Sequence, residues 1–305
     1  EGLRFLSQRG RGSIAERNAK LILMVGVLGV SASAILVRFS QAPSGVTAAY
    51  RLGWTVLLLL PVVLLRCRAE LRRVTARDLV LCGASGVLLA LHFLTWFESL
   101  KRTSVASSTV LVSTEVIFTA LGFALFLHGK IPRLGVWAIL LAFGGSALLA
   151  LSGGGGAGEL SGNLLALAAA SAAAVYTLIG RVQRGHLSTT VYTFLTYLAC
   201  FLTLLLGTAA AGTPLTGYGG REWLIGLALA VLCTLLGHSL FSWCLKYLSP
   251  SYVSAAKLCE PVFSSLAAIP LFGEVPGPLQ LAGGAAVLGA VLLYTWAERE
   301  KTPAG

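Results

Sequence analysis

Apolar runs of nearly constant length follow one another along the chain, separated by short polar segments. About 20 apolar residues in a helix are enough to cross a hydrocarbon core roughly 30 Å thick. The pattern therefore predicts an all-α integral membrane protein with ten transmembrane helices. The predicted helices are Leu21–Phe39, Thr47–Leu65, Leu79–Phe97, Ser104–Leu127, Leu134–Leu151, Leu160–Ile179, Thr190–Ala210, Trp223–Leu245, Tyr252–Phe272 and Leu279–Trp296.

The composition excludes an ordinary soluble globular protein. Hydrophobic residues make up 56% of the chain, charged residues only 11%, and the mean hydropathy is +0.82. Such a chain has too little polar surface to cover a water-exposed fold. Residues 1–20 are basic and polar without an apolar core of their own, so we expect the first run to be a retained helix rather than a cleaved signal.

The net charge of +11 first suggests a nucleic-acid partner, but the positions of the charges favour a membrane. If the N-terminus lies inside the cell, most of the 23 lysines and arginines fall in cytoplasmic segments. This positive-inside bias predicts that both termini are cytoplasmic, in the inner or plasma membrane, with no nucleic acid bound. Apart from Arg38 at the end of the first predicted helix, only Arg51 and Lys257 lie within predicted helices.

Two glutamates, Glu115 and Glu260, lie in apolar runs of the two halves of the chain. Each is roughly 12–16 Å along its predicted helix, near the middle of the bilayer. A carboxylate in that place is energetically unfavourable and usually functional. The surrounding sequences align without a gap, with Ser99-Leu100-Lys101 on Cys244-Leu245-Lys246, Ser104 on Ser249, Glu115 on Glu260 and Phe118 on Phe263.

A glycine-rich tract separates the two halves. It lacks the Lys and Ser/Thr of a phosphate-binding P-loop and is predicted to be a flexible link. Five predicted helices on each side give the halves opposite orientations, a 5+5 inverted-topology repeat typical of secondary transporters, whose substrate sites lie near the midplane. The predicted parts are the N-terminal segment 1–20, the first repeat 21–151, the linker 152–159, the second repeat 160–296 and the tail 297–305.

Four stretches of this duplicated sequence resemble a known family. They are 99–108 (SLKRTSVASS), 245–250 (LKYLSP), 260–263 (EPVF) and 271–274 (LFGE). With them the chain is similar, over Leu21–Trp296, to the drug/metabolite transporter superfamily of the EamA-like type. The resemblance implies ten helices in a 5+5 inverted repeat, a central cavity, and export or uptake of small metabolites. It also implies peripheral fifth and tenth helices that often form a homodimer.

The first half departs from the pattern of that family. Val116 stands where proline is common, and Lys130 stands where glutamate usually follows glycine. Glu115 stands where related sequences have small polar residues. We therefore interpret Glu115 as a substrate-tuning feature of a subgroup. The alternatives are a proton-coupling carboxylate and a protonated packing residue.

Glu260 is followed by Pro261, which cannot donate a helical hydrogen bond and therefore leaves the carbonyl of Lys257 without its usual donor. Interrupted helices at the midplane expose backbone groups that bind ions or polar substrates. Lys257 and Glu260 are three residues apart and can pair on one helical face. The pair is either a switch opened by substrate or proton, or a static buried salt bridge.

Other polar and aromatic side chains in the runs are candidates for substrate binding. Each has a structural alternative. The arginine could extend its charge to the membrane interface, a tryptophan could belong to the interfacial belt, a histidine could hydrogen-bond a neighbouring backbone or hydroxyl group, and the tyrosine could pack in the core. Of the tryptophans, Trp54 lies deepest in its run. These candidates are Arg51 for a substrate carboxylate, Trp54, Trp96, His92, His238 and Tyr176.

The leading hypothesis is a secondary transporter for a small polar metabolite such as an amino acid or related zwitterion, working by alternating access and coupled to protons or to exchange. We expect no cofactor and no metal, since the six cysteines lack metal-site spacing. The alternative from another class is an intramembrane serine hydrolase, because Gly83-Ala84-Ser85-Gly86 resembles the rhomboid-type motif and His238 is a potential base. A passive channel or scramblase is the third hypothesis.

Overall fold

The computed structural model describes residues 2–126, 131–152, 157–183, 185, 187–238, 240, 244 and 256–299. Side chains are described from residue 18 onward in these ranges, except at 123, 126, 150, 157, 238, 298 and 299. All regular secondary structure in this part of the chain is helical. The helices are α1 (Gly2–Phe39), α2 (Ser44–Arg66), α3 (Arg68–Leu71), α4 (Ala76–Arg102), α5 (Val105–Val112), α6 (Glu115–Phe126), α7 (Arg133–Ser152), α8 (Ala157–Gln183), α9 (Thr189–Ala210), α10 (Gly220–Ala228) with a π-helical segment Leu229–His238, α11 (Cys259–Phe272) and α12 (Pro278–Arg299).

Eight of the described helical stretches are long and apolar enough to cross a membrane. Two more apolar stretches, Arg133–Leu149 and Cys259–Phe272, are shorter. The chain is therefore a multi-pass helical membrane protein, as the apolar runs predicted. The count of ten spanning helices and the orientation of the termini stay predictions.

Polar side chains at the ends of the runs fix where helices begin. The Thr75 side chain accepts from the Asp78 amide, and Asp78 in turn accepts from the Thr75 amide, a capping box at the start of α4. Ser104 caps α5 and Ser188 caps α9. Each serine accepts a backbone N–H of the first helical turn at its hydroxyl oxygen. These caps satisfy backbone donors that the first helical turn leaves without partners.

The structure differs from the predicted boundaries in several places. The basic segment 2–20 is helical and continuous with the first apolar run in α1. Helix α7 extends to Ser152 and α8 begins at Ala157, so the predicted linker 152–159 is partly helical, and residues 153–156 lie outside the described part. The fourth apolar run is divided into α5 and α6 at Ser113–Thr114 although it contains no proline.

Helix α4 packs closely against α8 and α9. A Cβ added at Gly86 would lie 2.5 Å from the Ala199 Cβ and 2.7 Å from the Thr196 carbonyl oxygen, so α4 and α9 approach each other at backbone distance. Helices α7 and α12 form a second closely packed pair, in contact at Gly145 and Gly283. These are the fifth and tenth apolar runs.

Candidate functional site

A cavity of about 350 Å³ lies between the two halves of the chain. Its walls come from α4, α5, α6, α8, α11, α12 and the residues just before α11. The lining residues are Trp96, Thr109, Val112, Ser113, Glu115, Val116, Thr119, Ala120, Thr177, Arg181, Lys257, Leu258, Glu260 and Tyr294. The cavity therefore brings together Glu115, Glu260, Lys257 and Trp96, four of the residues that the sequence nominated.

Both glutamates occupy the start of a helix. Glu115 is the first residue of α6 and Glu260 is the second residue of α11. The N-terminal end of a helix carries a partial positive charge and amides without intrahelical acceptors, which stabilise a carboxylate there. The two halves thus present matching carboxylates to one cavity, each at a helix break.

Thr177 of α8 holds the first of these carboxylates. Its hydroxyl donates to Glu115 Oε1 at 2.8 Å, a contact from the second half of the chain to the first. Thr177 also lines the cavity. This bond orients the Glu115 carboxyl group toward α8.

A turn at Leu258 separates Lys257 from α11, and Pro261 is the third residue of that helix. Proline is tolerated in a first helical turn because its missing amide would have no intrahelical acceptor there. Lys257 and Glu260 both line the cavity and attract each other electrostatically. Glu260 also lies within electrostatic range of Glu115.

One end of the bundle is closed beside the cavity by a network centred on Arg38, the penultimate residue of α1. Its guanidinium donates to Glu274 Oε1 at 2.6 Å, to the Thr103 carbonyl oxygen at 3.0 Å and to the Leu100 carbonyl oxygen. Glu274 also accepts from the Val105 amide at 2.8 Å. These contacts tie the turn between α4 and α5 to the segment that follows α11.

The cavity opens away from this closed end. Trp96, one helical turn from Leu100, is 5% exposed. The two glutamates are half-buried, whereas Arg181 and Lys257 are exposed. Arg181 and Lys257 are the exposed members of the cavity lining, which places the mouth of the cavity beside them.

The indole of Trp96 lines the cavity near its closed end. Its N–H is buried and has no hydrogen-bond partner within the described structure. The ring stacks with His92 at 5.8 Å between centroids. The Nδ1 of His92 lies 3.0 Å from the Ala169 carbonyl oxygen, so His92 supports the tryptophan from behind the cavity wall.

Arg51 lies in the interior of the bundle. The residue is 2% exposed; its Nε donates to Thr234 Oγ1 at 2.9 Å and its Nη1 to Ser33 Oγ at 3.2 Å. The guanidinium carbon lies 4.4 Å from the ring centroid of Phe93, a cation–π contact. Arg51 therefore does not reach for the interface, and it is not among the lining residues of the cavity.

The remaining candidates lie elsewhere. The Trp54 indole donates to the Trp223 carbonyl oxygen at 3.2 Å, outside the cavity. Tyr176 packs, half-buried, against the core around α4, whereas its neighbour Thr177 lines the cavity. The side chain of His238 is outside the described part of the chain.

Sequence reasoning did not nominate Thr177, Arg181, Ser113 or Tyr294 as site residues. Thr177 and Arg181 are one turn apart on α8, so they share a helical face. Which face of α8 meets the cavity depends on packing that the sequence does not display.

The surroundings of Ser85 leave little space for a substrate to reach its hydroxyl group. It is 0% exposed, and its Oγ lies 2.7 Å from the Tyr192 hydroxyl. The neighbouring Gly86 is in close contact with α9. Within the described part of the chain, no group of three His, Cys, Asp or Glu side chains is placed to hold a metal ion.

The comparison with known proteins identifies one transporter family. The model of the EamA-like transporter family matches residues 18–151 and 160–296. The pseudopaline exporter CntI of Pseudomonas aeruginosa UCBPP-PA14 is 24% identical over 68% of this chain and 72% of its own length. A probable terminal-alkyne amino-acid exporter of Streptantibioticus cattleyicolor is 28% identical over 73% and 75%. One solved crystal structure, 19% identical in sequence, has the same fold, with a TM-score of 0.59 over 94% of this chain and 99% of that one.

Proposed function

The chain belongs to the EamA-like transporter family of the drug/metabolite transporter superfamily, and from this premise we propose that it exports a small zwitterionic metabolite, such as an amino acid or a relative of one, by alternating access. The observation that carries the proposal is the cavity between the halves, which presents carboxylates and cations together. A ligand with both an ammonium and a carboxylate group complements such a wall.

The size and polarity of the cavity support a small substrate. About 350 Å³ is at the lower end of the volumes of small-molecule pockets. Glu115 and Glu260 supply acceptors, Arg181 and Lys257 supply donors, and Thr109, Ser113 and Thr119 supply hydroxyls. Charged groups inside a membrane protein usually mark the path of a substrate or ion.

We infer the direction of transport from the closed end together with the charge bias. By the positive-inside rule, Arg38 and Glu274 would lie on the external side. The cavity would then open to the cytoplasm, ready to load a substrate for export. The two relatives named above are called exporters, one of an amino acid, which supports the same direction.

We propose that proton exchange at Glu115 or Glu260 couples transport to the proton gradient. Uptake of a proton removes one negative charge from the cavity and weakens the attraction for a bound ammonium group. The release of substrate on the external side would then accompany proton binding. No ATP-binding motif occurs in the sequence, which favours a gradient as the driving force.

An unbiased flux assay tests the proposal. Proteoliposomes containing the full chain are loaded with a broad metabolite mixture, incubated with and without a pH gradient, and analysed inside and outside by mass spectrometry. We expect selective, saturable movement of unchanged amino acids or related zwitterions, faster with the gradient. Movement of another chemical class only, or a new mass without movement, would contradict the proposal.

The other hypotheses predict different outcomes. An intramembrane hydrolase would react at Ser85 with a fluorophosphonate probe, but the complete burial of Ser85 opposes this. A channel or scramblase would show flux without saturation. A homodimer through α7 and α12 stays a proposal, which cysteine cross-linking between exposed positions such as Trp137 and Trp296 tests.

A further inference from the structure

The two exposed cations of the cavity lie on the same side of both carboxylates. Helix α8 starts at the closed end, where Thr103 Oγ1 donates to Asn163 Oδ1 at 2.8 Å, and runs away from it. Arg181 therefore lies one turn, about 6 Å, further from the closed end than Thr177, the partner of Glu115.

Helix α11 runs in the opposite direction. Its last residue, Phe272, lies against Phe39 with 5.1 Å between ring centroids, next to Arg38 and Glu274. Lys257 precedes Glu260, so it is also further from the closed end than its glutamate. The cavity is thus polarised along its axis, with carboxylates deep and cations at the mouth.

We propose that Arg181 is a specificity-determining residue that binds the substrate's carboxylate, together with Lys257, while the substrate's ammonium group lies deeper between Glu115 and Glu260. This inference rests on the proposed transport of a zwitterion and assigns its orientation. It also assigns the carboxylate to Arg181 rather than to Arg51, the candidate from the sequence.

The positions of the two arginines support this assignment. Arg181 lines the cavity and is exposed, whereas Arg51 does not line it and is 2% exposed. Two hydroxyls and an aromatic face surround the Arg51 guanidinium. A guanidinium binds a carboxylate with two parallel hydrogen bonds, which gives directional recognition at the mouth.

The orientation has a consequence for the order of binding. A substrate that enters from the mouth meets the cations first, and its ammonium group then passes to the carboxylates. Only a ligand that carries both groups, about 5 Å or less apart, can contact the cations at the mouth and the deeper carboxylates at the same time. Arg181 therefore selects against amines that lack a carboxylate.

The test compares three matched mixtures in proteoliposomes: the proteinogenic amino acids, their amides, which lack the carboxylate, and their N-acetyl derivatives, which lack the ammonium group. Uptake of each is measured by mass spectrometry for the wild type, Arg181→Gln and Arg133→Gln. Arg133 is an exposed arginine at the start of α7, outside the cavity, and serves as the matched control.

We expect the wild type to prefer amino acids over both derivatives. Arg181→Gln should transport amino acids roughly tenfold more slowly, which is the usual effect of losing a hydrogen bond to a charged group. Its transport of the amides should change little, because they lack the carboxylate. Arg133→Gln should behave as wild type. Wild-type preference that persists in Arg181→Gln would overturn the inference alone. A wild type that does not prefer amino acids would overturn the proposed substrate as well. Elution volume and thermal unfolding of each variant show whether the fold is kept.

Discussion

The guanidinium of Arg38 and the carboxylate of Glu274 form an ion pair of 2.6 Å between the first and second halves of the chain. Their side chains are 27% and 19% exposed, so the pair is partly desolvated. Each partner also engages backbone of the turn between α4 and α5. Because these contacts join three segments at the closed end, they stabilise that closure directly.

Breaking this pair should open the closed end. Arg38→Gln removes the charge and is expected to destabilise the closed state by on the order of 1–3 kcal/mol, as for a hydrogen bond to a charged group. In a background without native cysteines, a cysteine placed at Thr109, in the cavity wall near this end, should react several times faster with a membrane-impermeant thiol reagent added on the side of the closed end, which we propose to be external.

The matched control is Arg102→Gln, which breaks an exposed i,i+4 pair with Glu98 at the same end. Exposed pairs of this kind contribute little, so labelling should stay at the wild-type rate. The charge-swapped pair Arg38→Glu with Glu274→Arg should restore closure only in part, because the backbone partners are not exchanged. Unchanged labelling in Arg38→Gln would exclude a gating role.

Glu260→Gln is expected to abolish transport while leaving the fold nearly intact. The amide has the same shape as the carboxylate, but it removes the charge that Lys257 and the substrate would bind. Glu222→Gln is the contrasting variant: Glu222 is buried outside the cavity, and its oxygens accept from Ser40 Oγ and the Gln41 amide. We expect Glu222→Gln to lower the thermal unfolding midpoint clearly and to have a smaller effect on the transport rate. If Glu260→Gln loses protein yield and activity to the same degree, the residue is structural.

Thr177→Val should reduce transport by roughly tenfold, since it removes the hydrogen bond to the Glu115 carboxyl group at constant side-chain shape. Thr177→Ser keeps the hydroxyl and should retain most of the activity. Initial rates in proteoliposomes at equal protein density decide between them. Equal activity of the two variants would show that the bond to Glu115 does not position that carboxylate for transport.

Gly86→Ala is expected to destabilise the protein by about 1–3 kcal/mol, the usual effect of overpacking. The new methyl group would lie 2.7 Å from the Cys200 amide nitrogen and the Thr196 carbonyl oxygen, both backbone atoms. Gly83→Ala, three residues earlier in α4, meets nothing within 4 Å and should be neutral or slightly stabilising. The check is thermal unfolding in detergent; equal midpoints would contradict the close approach of α4 and α9.

Much of the molecule follows from local sequence. The apolar runs locate most helices to within a few residues, because lipid requires each spanning segment to satisfy its own backbone. The alignment of Glu115 with Glu260 pointed to one shared site, and the structure brings both to one cavity. The break at Ser113–Thr114 escaped prediction, because neither residue is a strong helix breaker and tertiary packing determines the bend there.

Side-chain direction accounts for the remaining differences. In a membrane helix every face is apolar, so the sequence does not say which face lines a cavity and which meets lipid. Depth favoured Trp54 as a candidate, but its indole lies against Trp223, while Trp96, near a helix end, lines the cavity. Arg181 was missed for the same reason, since its position near a helix end is equally typical of an interfacial cation.

Trp96→Phe should impair transport without loss of stability. The substitution keeps an aromatic wall against His92 but removes the indole N–H, a buried donor for which the described residues supply no acceptor. An unsatisfied buried donor is unfavourable, so its removal should leave the unfolding midpoint unchanged or raise it slightly. If a substrate oxygen satisfies this donor, the apparent affinity should fall by roughly tenfold.

Trp54→Phe is the matched control, because the Trp54 indole N–H donates to the Trp223 carbonyl oxygen outside the cavity. That variant should keep the wild-type apparent affinity for substrate. Saturation curves of initial uptake, measured beside thermal unfolding of the same preparations, separate the two effects. Unchanged affinity in Trp96→Phe would mean that the ring forms only the wall of the cavity and does not bind the substrate through its N–H.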